Sequence, residues 1–297
     1  MTVRIATRRS PLALWQANHV AQLLQAANPG LDVELVGIDT AADLDLSRSI
    51  DQIGGKGAFS KEIQQLVLAD RADLAVHSAK DLQATIPDGL VIGAYPERGT
   101  VHDCLVGARL ADLPSGATVA TGSARRRALL LDVRPDLNVA GLRGNIGTRL
   151  SRLADHDAIV MAAVALERLG EEPDVVDDLD PESFVPQVGQ GALAVECRAI
   201  DERMRELLAS IDHEPTRVVV GAERSFLAEL GGDCDLPAGA NAQLGSDGKL
   251  TIRGVLAPDR NGALLRGEVV ELPGADPGAA LAQRLRGGDA AGPGDRR

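Results

Sequence analysis

The stretch VRIATRRSPLALWQANHVAQLLQ, residues 3–25, decides the fold class. Its opening VRIATR reads as a strand, and Ser10 with Pro11 makes an N-cap and first-turn pair for a helix. Leu12, Trp15, Leu23 and Leu24 then recur with helical spacing. DVELVGI (32–38) is a second strand, followed by a polar, serine-containing loop. Beyond it, GGKGAFSKEIQQLVLADRADLAVHS (54–78) places Ile63, Leu66 and Val67 in a helical stripe and Leu74 to Val76 in a short buried strand. Strand and helix alternate, which predicts an α/β domain with a substantially parallel sheet.

The same rhythm restarts near residue 100. ATVAT (117–121) is strand-like, Ser123 can cap a helix over 124–131, and LNVAGLRG (137–144) is strand and turn. A helix carries Arg149 and Arg152, and DAIVMAAVALERLG (157–170) runs from strand into helix. VPQVGQGALAVECR (185–198) gives a glycine-rich turn and another strand. From 214, EPTRVVVGAERSFLAELGG reads as a helix with Val219, Ala222, Phe226 and Leu230 on one side, and the shorter strands KLTIRGVLA and LLRGEVVEL follow. The expectation is two similar α/β domains facing across a cleft, periplasmic-binding-protein-like, with mixed, mostly parallel sheets. A small C-terminal α+β domain completes the chain. The expected boundaries are 1–95 plus 192–212, 98–190 and 214–297.

The 297 residues are 44% hydrophobic but contain one Trp, one Tyr and three Phe, so the cores are aliphatic. No run reaches the roughly 18 apolar residues of a membrane helix, and the N-terminus lacks the apolar core of a signal peptide. Three scattered cysteines form neither a disulfide framework nor a CxxC metal site, and a reducing cytoplasm fits them best. The five histidines show no metal-ligand spacing. A net charge of -12, from 43 acidic and 31 basic residues, argues against a nucleic-acid partner. GGKG is too short for a Walker loop, and no GxGxxG follows the first strand.

Basic side chains nevertheless recur beside loops and helix starts: Arg8 and Arg9, Lys56, Lys80, Arg125 to Arg127, Arg143 and Arg149. One such cation alone is solvated surface charge. A set falling repeatedly at strand ends points to a polyanion cleft, because open α/β domains bind ligands there and guanidinium forks suit carboxylates. Asp81, directly after Lys80, either orders these cations by ion pairing or handles charge and protons on a ligand. His77 is expected to hold the strand end by hydrogen bonding, and Phe59 is either core or a lid on a flat ring. Cys104 and Cys197 sit in apolar runs; Cys234, in GGDCDLP (231–237), sits in a loop and asks for a reason.

RIATRRSPLALWQ, GGKGAF, DLAVHSAKDL, LRGNIGTRL, VGQGALAVECR and Cys234 in its GGDCDLP loop together resemble the hydroxymethylbilane synthase, or porphobilinogen deaminase, family. The resemblance runs in order from residue 3 to about residue 240 and more weakly beyond. It implies a transferase of heme and tetrapyrrole biosynthesis that condenses four porphobilinogen molecules head to tail, releasing ammonia and finally hydroxymethylbilane. It implies a dipyrromethane cofactor held by a thioether to Cys234, with Lys80, Ser123, Arg125, Arg126, Arg143 and Asp81 around it. Arg8, Ser10, Arg149, Arg168 and Phe59 match substrate-binding positions, and Asp81 matches the catalytic aspartate. A cytoplasmic monomer with no membrane or nucleic-acid partner is implied, its product passing to a uroporphyrinogen-forming enzyme.

Three departures from the family pattern stand out. Ala42 replaces a loop glycine, PERGTVHDCLV lacks the Asp-Pro-Arg that ordinarily precedes Asp103, and Asp233 stands before Cys234 where it would tend to raise the thiol pKa. The competing account is a non-catalytic two-domain protein that binds polycarboxylates. It explains the cations but neither Cys234 nor Asp81.

Overall fold

The computed structural model describes residues 1–40, 60–231, 236–257, 263–272 and 275–287. The chain divides into two compact units, Met1–Gly99 with Gly191–Val218 and Thr100–Gln190 with Val219–Arg297.

The first unit is built on a five-stranded sheet. Its strands are β1 (Thr2–Arg8), β2 (Asp32–Ile38), β3 (Leu74–Ser78), β4 (Leu90–Ala94) and β10 (Leu193–Arg198), in the order β2-β1-β3-β10-β4. β1 pairs in parallel with β2 and β3, whereas β10 runs antiparallel to both its neighbours. Four strands therefore share one direction, and the exception is the strand that returns from the second unit. Helix α1 (Pro11–Ala27) begins as its sequence dictates, Ser10 Oγ accepting the Ala13 N–H at 3.4 Å. It ends at Asn28, whose side chain donates to Leu24 O at 3.0 Å ahead of Pro29, a residue that disfavours helix before it. Val20 and Leu24 of α1, and Met204 and Leu208 of α6 (Glu202–Ala209), pack on the sheet face carrying Val3, Ile5, Val76 and Val195. Ile63, Leu66 and Val67 of α2 (Lys61–Leu68) cover Ala6 and Ala75 on the opposite face. Period-2 alternation in the strands separates these two aliphatic layers.

The second unit repeats the plan. β5 (Asp103–Val106), β6 (Thr118–Ala120), β7 (Asn138–Ala140), β8 (Ala158–Ala162) and β9 (Val176–Asp178) form a sheet in the order β7-β6-β8-β5-β9. Again the pairings of β6 are parallel and those of β5 antiparallel, so the lone reversed strand is the one that enters from the first unit. The helices are α3 (Ala124–Val133), α4 (Ile146–Ser151) and α5 (Ala163–Leu169). Arg152, expected on α4, is the residue that closes it. The architecture is two similar α/β domains with mixed, mostly parallel sheets.

Helix α7 (Glu214–Glu229) leads into a smaller third sheet, an antiparallel meander of β11 (Ala238–Leu244), β12 (Leu250–Leu256) and β13 (Leu265–Glu271), followed by α8 (Pro277–Arg286). Buried Phe226, Ile252, Leu281 and Leu285 supply its apolar interior. Glu223 of α7 is wholly buried and accepts the N–H groups of Gly189 at 2.8 Å and Ala242 at 2.9 Å, joining β11 to the loop before β10. A Cβ at Gly239 would stand 2.5 Å from Pro186 O, 2.8 Å from Arg125 Cδ and 2.9 Å from Val185 O. Backbone carbonyls cannot yield as a flexible side chain does, so Gly239→Ala is expected to cost about 1–3 kcal/mol of stability. Urea unfolding of the variant beside the wild type measures it.

Candidate active site

In the first unit, parallel β1 and β3 bring their carboxyl ends to one edge of the sheet. Arg8 ends β1, and Thr7 Oγ1 donates to Ala13 O at 3.2 Å, fastening that end to the first turn of α1. Gln16 of α1 reaches across, its Nε2 donating to Ser78 Oγ at 2.7 Å where β3 ends. Ala79–Asp81 then form a single 3-10 turn, anchored by the Ala79 N–H to Ala192 O at 3.0 Å. Two strand ends and one helix start thus surround a concavity whose lining includes Arg8, Ser10, Gln16, His77, Ser78 and Asp81. Lys80 shares the 3-10 turn with Asp81 and is half-buried. Arg9, next to Arg8, is engaged elsewhere in an ion pair with Asp39 at 2.8 Å. His77 differs from expectation: its Nε2 lies 3.0 Å from Glu196 Oε2, an ion-pair distance without hydrogen-bond alignment.

In the second unit, Ser123 follows β6 and caps α3, its Oγ accepting the Arg126 N–H at 3.3 Å. Capping turns Arg125 and Arg126 inward, and both are buried. They meet Asp103, the first residue of β5, which is wholly buried beside the carboxyl end of β8. Arg125 Nη2 donates to Asp103 Oδ2 at 2.7 Å and Nη1 to Val185 O at 2.6 Å. Arg126 donates to Asp103 Oδ1 from Nη2 at 2.7 Å and Nε at 3.1 Å, and from Nη1 to Val160 O at 3.2 Å. Gln190 Nε2 adds a further bond to Asp103 Oδ1 at 2.9 Å and another to Val101 O at 2.7 Å. The turn that delivers Gln190 has φ of +72° at Gly189 and +85° at Gly191, which glycine adopts without strain. Burial alone would push the Asp103 carboxyl up, but Arg125 and Arg126 outweigh it and hold it well below the usual carboxylate range.

The other cations lie on the same unit. Arg143 is exposed in the loop after β7, and Arg149 of α4 donates from Nε to Gly144 O at 2.8 Å. Arg168 is half-buried in the last turn of α5; burial lowers its pKa to about 10, Glu167 opposing, so it stays cationic at neutral pH. Cys234 and Phe59 lie outside the described residues, as do Lys56, Ala42 and Asp233. The described cysteines are buried thiols, Cys104 pushed up by burial to about 12 and Cys197 to about 11. Neither is a thiolate at neutral pH.

The donor set fits carboxylates. Two buried guanidinium groups share one buried carboxylate, and Arg125 Nε has no acceptor among the described residues. Sequence reading did not single out Asp103 as an anchor, nor Gln190, Glu196, Gln64 or Glu223. Glu196 had a signal, a carboxylate inside the apolar run ALAVECR.

The family model described as "Porphobilinogen deaminase, dipyromethane cofactor binding domain" matches residues 3–206, and "Porphobilinogen deaminase, C-terminal domain" matches residues 218–284. The chain is 47% identical over 264 residues to the porphobilinogen deaminase of Nitratidesulfovibrio vulgaris (strain DSM 19637 / Miyazaki F), covering 87% of this chain and 83% of that one. Among solved structures, YhfZ from Shigella flexneri overlays at a TM-score of 0.36 with 18% identity, covering 76% of this chain and 95% of its own. The periplasmic aliphatic sulphonate binding protein SsuA from Escherichia coli overlays at 0.38 with 16% identity, covering 76% and 70%. These overlaps are too loose to carry an argument.

Asp103→Asn leaves two buried guanidinium groups facing a neutral amide, and is expected to cost about 3 kcal/mol at neutral pH. Because the folded pKa is depressed, this stabilisation is complete above the ordinary carboxylate pKa of about 3.9 and is lost as pH falls towards the folded value. The gap between wild type and variant should therefore narrow by about 1 kcal/mol between pH 7 and pH 3. Paired urea titrations at the two pH values test this, and an unchanged gap would contradict it.

Proposed function

The chain belongs to the porphobilinogen deaminase family, and from that premise we propose how its residues divide the work. The enzyme joins four porphobilinogen molecules head to tail on a dipyrromethane cofactor, releasing ammonia and then, with water, hydroxymethylbilane. When bound, the cofactor supplies the pyrrole terminus on which assembly starts.

Cys234 is the attachment residue. The inert character of Cys104 and Cys197 supports it, since attachment by thioether needs a reactive thiolate. Arg125 and Arg126, held by Asp103 with one positive charge in excess, support a role in binding the cofactor's carboxylates, with Lys80, Ser123, Asp81 and Arg143. Arg8, Ser10, Arg149, Arg168 and Phe59 hold the acidic side chains and ring of porphobilinogen.

The observation that carries this reading is the concavity lined by Arg8, Ser10 and Asp81 at the ends of β1 and β3. It puts a carboxylate beside a guanidinium and a helix N-terminus. The cations orient an acidic substrate through its carboxylates. Among the described residues, Asp81 is the one acidic side chain of the lining. It stabilises positive charge that develops on the pyrrole nitrogen and takes up or returns its proton. The proposed domain limits are 1–95 plus 192–212, 98–190 and 214–297, with Cys234 in the last. Among the described residues no helix is long and apolar enough to cross a membrane. A cytoplasmic monomer that hands its product to a uroporphyrinogen-forming enzyme completes the proposal.

Asp81→Asn keeps the shape and removes the charge. Its porphobilinogen consumption is expected to fall at least about a hundredfold, with an unfolding midpoint close to that of the wild type. Turnover within a few-fold of wild type would overturn the assignment of Asp81.

A further inference from the structure

Glu196 is wholly buried in β10, between β3 and β4 and beneath α2. Its described partners are few. Gln64 Nε2 donates to both carboxylate oxygens, at 3.1 and 3.0 Å, and His77 Nε2 stands 3.0 Å from Oε2. Register explains the meeting: Ala194 faces His77 and Glu196 faces Ala75, so Glu196 and His77 are diagonal neighbours on one face of the sheet. Around them are apolar Ile63, Val67, Ala6 and Ala75. A carboxylate in such surroundings is expensive unless paired, and an apolar side chain there would serve the core better. Its placement therefore calls for a use.

His77 supplies one, because it belongs to the lining of the concavity that holds Arg8, Ser10 and Asp81. Its Nε2 faces Glu196 at 3.0 Å without hydrogen-bond alignment, and Nδ1 is the ring's other polar atom. We propose that Glu196, backed by Gln64, is a positioning residue that fixes the His77 imidazole, and that His77 Nδ1 binds a carboxylate of porphobilinogen in this concavity. This rests on the substrate assignment above. Glu196 acts only through His77, its carboxylate standing 3.0 Å from Nε2 and holding the ring in place.

The test is a double-mutant cycle read as a split between KM and kcat. His77→Gln retains an amide towards Glu196 but removes the edge left for the ligand, and Glu196→Gln keeps volume while removing the charge. Each is expected to raise the KM for porphobilinogen about tenfold, the size of one hydrogen bond to a charged group, with kcat within about twofold. The double variant should be no worse than either single one. If Glu196→Gln does not fold, Gln64→Leu takes its place, with a smaller rise in KM that disappears in the His77→Gln background. Additive losses, or lowered unfolding midpoints with KM unchanged, would overturn the proposal. The intact mass of each variant separates the two levels of the argument. A retained dipyrromethane addition with KM unmoved rejects only the role of His77, whereas a wild type without that addition rejects the reading beneath it.

Discussion

Two guanidinium groups on one buried carboxylate are the constraint on which the second domain depends. Asp103, Arg125 and Arg126 are all buried, and the three side chains together carry one positive charge. Burying charge is unfavourable unless pairing is nearly complete. Here the pairing is dense, with Val160 O, Val185 O and Gln190 joining in, yet one cation remains in excess. The protein thereby holds a fixed positive charge at the carboxyl end of a parallel sheet. Such a charge is already in place before any anion arrives and requires no reorganisation.

The two α/β domains place their polar anchors by the same device. In each sheet the single reversed strand is the one that crosses from the other unit, β10 in the first and β5 in the second. Each of these strands carries a wholly buried carboxylate, Glu196 on β10 and Asp103 on β5. Glu196 meets His77 at the end of β3, and Asp103 grips the arginines at the start of α3. The strands that give the fold its crossover are therefore also the strands that hold these two buried carboxylates, Asp103 beside the carboxyl end of β8 and Glu196 beside His77.

Local features of this fold were legible and distant ones were not. The alternation of strand and helix from Val3 to Val76 could be read because period-2 and helical apolar patterns are local, and the caps Ser10 and Ser123 hold their helices as the residue types suggest. The reversed direction of β5 and β10 has no local signature, since it depends on partners 50 or more residues away. Asp103 is the clearer case. In PERGTVHDCLV nothing local marks it as an anchor, and its pairing arises only when α3 delivers two arginines from beyond residue 124. Arg125 and Arg126, in turn, read as candidate anion ligands, and nothing local in GSARRR marks them as buried. The candidate site residues came from motifs rather than from periodicity, because single polar side chains leave no periodic pattern.

The central claim is that this cationic framework serves one covalently attached dipyrromethane on Cys234. Intact mass spectrometry of the denatured protein, beside a Cys234→Ser variant, tests it most directly. The account predicts an excess equal to one dipyrromethane in the wild type, resistant to denaturation, and an unmodified mass in the variant. A wild type that stays unmodified after incubation with porphobilinogen, or a variant that still gains the same mass, would contradict it.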